Sequence, residues 1–235
     1  MRYARLIILA STLLAGGLPA AAAWENTLVV YGMGSSIEGD ATFLDATLEV
    51  DVPLDELIDD LEFVAMAAYR GQADHWAIVV DTQFIALGQS TSPAVADLDM
   101  LMLEIDGAYR LTERFDLYLG ARYLGTESRI EFAGPLGSVL EGEEDVVDPI
   151  VGFSGRLPLG KKFRFHFRGD VGGFGVGSEL TWQGQANLGF TASDLISIWL
   201  GYRAIGYDIE FERRAGALGL DMVLHGPQLG VAFHL

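Results

Sequence analysis

The sequence predicts an all-β protein, a transmembrane antiparallel up-and-down β-barrel of about ten strands, within a range of about eight to twelve. Half of the residues are hydrophobic and the mean hydropathy is +0.28. Yet no run of about 18 apolar residues follows Trp24, so a membrane-spanning helix is not expected. Apolar and polar residues instead alternate with a two-residue period, and tight connections alternate with long ones along the chain.

The amino-terminal segment has the organisation of a cleaved secretory signal peptide. Two arginines precede an apolar run at residues 6–14, and small alanines before Trp24 form a cleavage site. A retained membrane helix is the alternative, but the apolar run is short and is followed by a glycine pair. We therefore expect residues 1–23 to be the signal peptide and residues 24–235 to be one exported outer-membrane β-barrel domain.

Charge and cysteine content narrow the classes of function. The chain has 33 acidic residues against 15 lysines and arginines, and its net charge is −18. No nucleic-acid partner is expected, because phosphate binding needs clustered positive charge. The absence of cysteine excludes disulfides and the lipid-modified cysteine of a lipoprotein.

The strands are recognised by their alternation. In "FRFHFRGDV", Phe163, Phe165 and Phe167 point to one face while Arg164 and His166 point to the other. The same period predicts ten strands, at residues 26–36, 62–71, 76–88, 98–111, 114–128, 146–157, 162–176, 179–192, 195–211 and 218–235. The pattern of residues 40–52 also allows an additional hairpin.

Two kinds of connection join these strands. The tight connections are at residues 70–75, 110–115, 158–162 and 190–195. The longer connections, acidic or rich in glycine, are at residues 88–97, 125–145 and 212–219, and residues 175–178 are a short exception among them. Regular alternation of the two kinds is typical of a barrel with one plain end and one elaborated end.

Two local irregularities interrupt the β pattern. Residues 52–61 have helical spacing, with Pro53 suited to the first position, and predict a short amphipathic helix that packs over one barrel mouth. In the ninth strand the apolar residues have even numbers up to Tyr202 and odd numbers from Tyr207, which predicts a β-bulge near Gly206.

The apolar face is expected to face lipid. A soluble lipocalin-like barrel, with the apolar face inside, is the alternative. Lysine occurs only at Lys161 and Lys162, in a tight connection, so no strand carries a lysine-rich face toward water. Aromatic residues beside the tight connections fit the girdle at a membrane boundary, and these are Trp76, Phe115, Phe163 and Phe190.

The alternation continues to the carboxyl terminus. A final strand must pair with the first strand, because an open sheet edge in hydrocarbon leaves backbone groups unsatisfied at several kcal/mol each. Gln228 and His234 are expected to face inward. The lipid-facing residues of the final strand are Leu229, Val231, Phe233 and Leu235.

This ending resembles the carboxyl-terminal assembly signal of Gram-negative outer-membrane proteins, which the barrel-assembly machinery reads. That signal usually closes with an aromatic residue, whereas here Phe233 lies two positions before the terminal Leu235. The stretches "VDPIVGFSGRL", "RGDVGGFGVGSELTWQ", "LGYR" and "LDELIDDLEF" resemble a proteobacterial group of small OmpA-like or OmpW-like barrels, over nearly the whole mature chain.

The resemblance implies a fold and a location rather than a reaction. It implies the outer membrane of a Gram-negative bacterium. The partners it implies are outer-membrane lipid and lipopolysaccharide, together with the barrel-assembly machinery and periplasmic chaperones during biogenesis.

The candidate site is the set of charged side chains on the inward face. In a narrow barrel they form either an ion-pair network that fills the lumen or a constricted, weakly anion-selective pore lined by Arg122, Arg156, Arg164 and Arg168. The full set is Arg70, Asp81, Glu104, Asp106, Arg110, Arg122, Asp148, Arg156, Arg164, His166, Arg168, Asp170 and Arg203.

No catalytic, metal or cofactor site is expected. His166 and Asp170 are four residues apart on one strand, about 13 Å at 3.3 Å per residue, which is too far for a catalytic pair. The acidic residues 140–148 do not have the spacing of a Ca²⁺-binding loop, and they predict a solvated loop. Glycine-rich residues 172–177 precede no helix and predict barrel curvature rather than nucleotide binding.

The sequence thus predicts a non-catalytic outer-membrane barrel that is either structural or a narrow passive channel, porin-like, for small polar solutes. One alternative is a barrel that binds ligands or surfaces through loops at residues 40–60 and 125–145. The other alternative is an outer-membrane lipid-modifying enzyme.

Overall fold

The computed structural model describes residues 24–43, 46–59, 61–91, 94–132, 139–213 and 216–235, so the predicted signal peptide lies outside the described residues. Twelve strands and one short helix follow one another along the chain. They are β1 (Glu25–Met33), β2 (Ser36–Phe43), β3 (Ala46–Val52), α1 (Leu54–Asp59), β4 (Leu61–Ala73), β5 (Trp76–Thr91), β6 (Ala94–Thr112), β7 (Phe115–Phe132), β8 (Val139–Leu159), β9 (Phe163–Gly173), β10 (Leu180–Thr191), β11 (Ile196–Arg213) and β12 (Gly216–His234).

Ten strands form a closed antiparallel barrel, which confirms the predicted fold class. β1 and β4 to β12 pair with their neighbours in chain order, and β1 also pairs with β12. The closing register runs from Thr27 opposite His234 to Met33 opposite Gln228. The final strand therefore satisfies its backbone groups against the first strand, as the alternation at the carboxyl terminus predicted.

The β2–β3 hairpin extends the sheet outside the closed ring. β12 pairs with β1 along one part of its length and with β2 along another, from Ser36 opposite His225 to Phe43 opposite Leu218. The break between β1 and β2 lies opposite Pro227, whose nitrogen carries no hydrogen for a ladder bond. Gly34 N–H still donates to the Pro227 carbonyl at 2.9 Å.

The barrel has two unlike ends. The tight-turn end contains Trp24, which is the first described residue, the carboxyl-terminal Leu235, and the short connections after β4, β6, β8 and β10. At the opposite end, the long-strand end, the strands continue through most of the predicted long connections. β7 reaches Phe132 and β8 begins at Val139, so the acidic segment predicted as a solvated loop is strand. A strand with charged residues on both faces still forms where the sheet projects into water, because its backbone groups hydrogen-bond to those of the neighbouring strands.

The outward face of the barrel is an apolar belt. Leu119 is 69% exposed and Leu200 is 61% exposed, and both alternate with inward-facing polar residues on their strands. Trp76, Phe115 and Phe163 are also exposed beside the tight turns. Such a surface requires a lipid environment, because water would meet a continuous band of hydrocarbon.

The prediction of a β-bulge near Gly206 is wrong. The register of β11 with both β10 and β12 is continuous through this residue. Ile205, Tyr207 and Ile209 are all buried, on the same inward face, and Asp208 is exposed on the outward face. On this part of β11 the side chains that line the lumen are apolar, and the outward side chains lie beyond the hydrocarbon of the membrane. The apolar residues therefore move from the outward to the inward face without any shift in register.

The helix α1 lies between β3 and β4. It comprises six residues, Leu54–Asp59, fewer than the predicted segment, and its Leu54 side chain lies beside Gly34 at the β1–β2 break. Packing of this helix over a barrel mouth stays a prediction. None of the helices among the described residues has the length and apolar character needed to cross a membrane.

Candidate functional site

The inward-facing side chains form three layers along the barrel axis. β6 shows their order from the tight-turn end, with Arg110 first, then Asp106 and Glu104, and finally Met102 and Met100. We call these layers the mouth cavity, the ion-pair layer and the apolar plug. The order follows from the two-residue period, which places every second residue of a strand in the lumen.

Arg122 and Arg168 connect three strands in the ion-pair layer. Arg122 donates from Nε and Nη2 to Glu104 Oε2 at 2.9 and 2.8 Å, and from Nη2 to Asp170 Oδ1 at 2.6 Å. Arg168 Nη2 contacts Glu104 as well and lies 3.2 Å from Asp106 Oδ2. The two guanidinium groups therefore share carboxylates, which makes the cluster a network rather than a set of pairs.

Arg203 forms a second cluster across the closing strands. Its Nη1 donates to Asp81 Oδ2 at 2.8 Å and to Tyr31 Oη at 3.1 Å. Tyr31 in turn donates to Asp81 Oδ1 at 2.5 Å. Gln183 links the two clusters, since its Oε1 accepts from Arg203 Nε at 2.7 Å and its Nε2 donates to Asp170 Oδ2 at 3.1 Å.

The ion-pair layer is closed to solvent. Arg122 and Arg203 are each 2% exposed and Glu104 is 3% exposed. Burial of a charge costs several kcal/mol unless partners replace its hydration, and the shared hydrogen bonds supply those partners here. The layer therefore fills the cross-section of the barrel with polar groups that are largely satisfied by one another, with Asp106 Oδ1 as an exception.

Asp148 does not join this network. It opposes Arg122 in the register of β7 and β8, yet its carboxylate accepts from Ser178 N–H at 2.6 Å and from Ser178 Oγ–H at 2.7 Å. Phe174 near it has a positive φ of 54°. Asp148 thus holds the short connection between β9 and β10 against the barrel instead of pairing with an arginine.

The apolar plug fills the lumen on the long-strand side of the ion-pair layer. Its buried members come from β6, β7, β8, β11 and β12. They are Met100, Met102, Leu124, Val146, Ile205, Tyr207, Ile209, Met222 and Leu224. This layer was not predicted, because the other inward residues of these strands are polar. The signal is nevertheless present in the sequence, since the members of the plug have the inward phase of their strands.

The mouth cavity is a space of about 320 Å³ at the tight-turn end. One wall is cationic. Arg70 and Arg156 both contact Asp116 Oδ2, at 2.7 and 3.4 Å. They also donate to Gln72 Oε1, at 3.0 and 3.3 Å. Arg164 also lines the cavity, two residues from His166 on β9, and is exposed.

The side of the cavity formed by β9 to β12 is polar and aromatic, and its His166 lies directly across from Arg156 in the register of β8 and β9. The Trp199 ring stacks on His166 with centroids 4.2 Å apart. Gln228 Nε2 donates to Asn187 Oδ1 at 2.6 Å, and Gln185 completes this side of the cavity. The cavity therefore combines guanidinium groups with amides and one indole.

A serine–histidine pair also lies in this cavity. Ser197 Oγ is 2.9 Å from His234 Nε2, and His234 Nδ1 is 3.3 Å from the hydroxyl of Thr27. In a catalytic triad a carboxylate occupies the third position and stabilises the imidazolium. A threonine hydroxyl does not supply that charge, so the arrangement lacks the third component of a triad.

The structure distributes the predicted site residues over the layers. The ion-pair layer contains Asp81, Glu104, Asp106, Arg122, Arg168, Asp170 and Arg203. The tight-turn half contains Arg70, Arg110, Arg156, Arg164 and His166. Residues absent from the predicted set but central to the geometry are Tyr31, Asp116, Tyr118, Gln183 and Trp199. The outward positions of Leu229, Phe233 and Leu235 follow the predicted alternation.

Metal coordination finds no support in this geometry. Among the described ranges, no group of three or more histidine, cysteine or acidic side chains is arranged to hold a metal ion. His225 faces outward, where its Nδ1 lies 2.6 Å from Tyr202 Oη and its Nε2 lies 3.2 Å from Glu38.

Comparison with known proteins places the fold. No protein-family model matches the chain, and no curated protein sequence matches it. Among solved structures, the chain is similar to the outer membrane protease OmpT from Escherichia coli, with a TM-score of 0.58 and 9% identity over 94% of this chain and 99% of that chain.

Two further solved structures are less similar. Ail, the attachment invasion locus protein of Yersinia pestis, has a TM-score of 0.36 and 10% identity over 87% of this chain and 97% of that chain. The translocator domain of autotransporter NalP from Neisseria meningitidis has a TM-score of 0.41 and 12% identity over 99% of this chain and 95% of that chain. The likeness to OmpT and the apolar belt together show that this chain has the fold of a Gram-negative outer-membrane β-barrel.

Proposed function

We propose that this protein is a non-catalytic outer-membrane barrel whose lumen is sealed, so that it is a structural membrane protein rather than a channel. The observation that carries this proposal is the succession of two closed layers. A solute that enters the mouth cavity meets buried, mutually paired charges and then a set of buried apolar side chains. Apolar constrictions exclude water and ions, and paired charges offer no free coordination.

The narrow-channel alternative requires a path past these layers. The anion-selective version depends on Arg122 and Arg168 being available to a passing anion, but both guanidinium groups are bound to carboxylates. An anion would have to displace buried carboxylates that are themselves close to each other. The geometry therefore favours the sealed barrel.

Planar-bilayer recording tests the proposal. We expect the refolded protein to show no discrete conductance steps, and a variant that combines Arg122→Ala with Met102→Ala and Ile205→Ala to conduct. Arg114→Ala, at an exposed position in a tight turn, is the matched control and should stay silent. Folding of each variant is checked by heat-modifiable migration in gels. Discrete steps in the unaltered protein that change with Arg122→Ala would refute the sealed lumen.

The proposal includes an orientation and a location. Outer-membrane barrels have short periplasmic turns and longer extracellular extensions, so the tight-turn end would face the periplasm. Export would use residues 1–23 as a signal peptide. Protease accessibility in intact cells tests this orientation, since cleavage should occur at the long-strand end and not at the turns around Lys161 and Lys162.

The expected partners belong to the same proposal. They are outer-membrane lipid and lipopolysaccharide around the belt, and the barrel-assembly machinery with periplasmic chaperones during biogenesis. The carboxyl-terminal residues Leu229, Val231, Phe233 and Leu235 would form the assembly signal, and their resemblance to the carboxyl-terminal signal of Gram-negative outer-membrane proteins supports that role. Deletion of the last three residues should abolish accumulation in the outer membrane.

The remaining alternatives stay predictions. Surface binding would use residues 40–60 and 125–145, and the described parts of both ranges lie at the long-strand end. Lipid modification would change the mass of lipid A when the protein is expressed. Mass spectra of lipid A that stay constant would exclude this enzymatic alternative.

A further inference from the structure

We propose that the mouth cavity binds a small anionic sugar, a monosaccharide that carries a carboxylate or a phosphate group. The inference goes beyond a sealed structural barrel, because it gives the lumen a ligand without giving it a path across the membrane. It rests on the charges, the unused hydrogen-bonding groups and the closed inner end of the cavity.

Charge is separated along the barrel axis. In the tight-turn half, four inward-facing guanidinium groups, those of Arg70, Arg110, Arg156 and Arg164, lie near two carboxylates of the described chain, Asp116 and Glu25. In the ion-pair layer, three arginines meet the four carboxylates of Asp81, Glu104, Asp106 and Asp170. An anion is therefore attracted to the mouth, where the guanidinium groups outnumber the carboxylates beside them, rather than to the deeper layer, where each arginine is already paired.

Asp116 leaves the cationic wall only partly neutralised. This carboxylate contacts both Arg70 and Arg156 through a single oxygen, Oδ2. Arg164 makes no ion pair with any residue that the structure describes, although it lines the cavity. Free guanidinium groups bind carboxylate or phosphate oxygens through charge-assisted, often bidentate hydrogen bonds.

The polar and aromatic side of the cavity, next to Arg156 and Arg164, has polar groups that no described residue engages. The Trp199 indole N–H, the Gln185 amide and the His166 ring nitrogens make no hydrogen bond with the described part of the chain, and all three residues line the cavity. Such groups suit the hydroxyls of a sugar, each of which both donates and accepts. A plain inorganic anion would use the arginines and leave this wall unused.

The size and the closed inner end of the cavity limit the ligand. Its volume of about 320 Å³ is at the small end of the range of about 300–1,000 Å³ for small-molecule sites. The ion-pair layer forms the floor, and the exposed residues Glu25 and Arg164 lie at the opening. A ligand of monosaccharide size fits this blind pocket and enters from the tight-turn end.

Trp199 provides a direct reporter of binding. Trp76 and Trp182 face outward and are 63% and 36% exposed, whereas Trp199 lines the cavity. A variant with Trp24→Phe, Trp76→Phe and Trp182→Phe therefore reports fluorescence from the lumen alone. We would titrate this detergent-folded variant with glucuronate, glucose 6-phosphate, neutral glucose and inorganic phosphate.

We expect saturable changes in fluorescence with glucuronate or glucose 6-phosphate. Binding should be at least about tenfold weaker for glucose, which lacks the anionic group, and for inorganic phosphate, which lacks the sugar hydroxyls. The two sugar arms distinguish a carboxylate from a phosphate source. Glucose binding as tightly as either acid would overturn the anionic assignment. Inorganic phosphate binding as tightly as glucose 6-phosphate would overturn the sugar assignment.

Substitutions locate the site. Arg164→Gln and Arg156→Gln should each weaken binding at least about tenfold, whereas Arg114→Gln, a lost arginine at the same end but in an exposed turn, should leave it unchanged. Equal affinity of all three variants, or no saturable signal with any probe, would overturn the proposal. Bilayer conductance is recorded separately, so failure of the sealed lumen and failure of ligand binding are distinguishable.

Discussion

The ion-pair layer and the apolar plug are neighbours on the same inward face, but ion pairs stabilise the first and apolar packing stabilises the second. On β6, Glu104 and Met102 are two residues apart and are 3% and 5% exposed. Glu104 depends on specific partners in β7 and β9, whereas Met102 depends only on contact with other apolar side chains. Both layers exclude water, but the loss of a single partner costs more in the first layer, because it leaves a buried charge unpaired.

The largest effect is expected for Arg122→Ala. This change leaves Glu104 and Asp170 buried with one guanidinium group fewer, and we expect the free energy of unfolding to fall by about 3–5 kcal/mol. Urea unfolding in lipid vesicles, followed by tryptophan fluorescence, measures it. Arg129→Ala removes an exposed arginine that contacts Glu131 and Glu141 and should cause no measurable change. Equal losses for the two variants would contradict the role of burial.

A smaller effect is expected for Ile205→Ala in the apolar plug. Ile205 is 1% exposed, and loss of its side chain should cost about 2–4 kcal/mol through lost transfer energy and the cavity left behind. The matched control is Ile198→Ala, on the same strand but 44% exposed on the outward face. Lipid fills the space left there, so its loss in unfolding free energy should be clearly smaller. The reverse order would show that the plug is not tightly packed.

The smallest effect is expected for Tyr31→Phe. The change removes a hydroxyl that donates to Asp81 and accepts from Arg203, but it leaves the ion pair between them in place. We expect a loss of about 1–2 kcal/mol in the same unfolding experiment. Tyr109→Phe, at an outward position that is 43% exposed, should change the free energy by much less. A loss as large as that of Arg122→Ala would mean that Tyr31, rather than the arginine, organises its cluster.

The same comparison explains what the sequence could predict. Alternation alone identified the lipid-facing positions and the inward charged residues, because the two-residue period is a local property. The partners could not be predicted in this way. Arg122 and Asp170 are 48 residues apart on β7 and β9, which are not adjacent, so their contact depends on the register of several strands.

The apolar plug was missed for a different reason. Tyr207 and Ile209 suggested a change of phase, because apolar residues were assumed to face lipid throughout the barrel. In the structure, inward and outward residues of β11 continue to alternate without a shift, and the inward side chains change from polar to apolar. Asp208, exposed on the outward face, was the signal that β11 had already passed beyond the hydrocarbon.

The break opposite Pro227 makes the seam between β1 and β12 short. This seam covers only Thr27–Met33, whereas β11 follows β12 from Ile196 to Arg213. Sideways opening of the cylinder thus has the fewest ladder bonds to break at the two edges of β1, which also pairs with β4 over only seven residues. Under heat or a pulling force, the wall should unzip there first, and backbone amides of β1 should exchange with heavy water before those in the middle of β11.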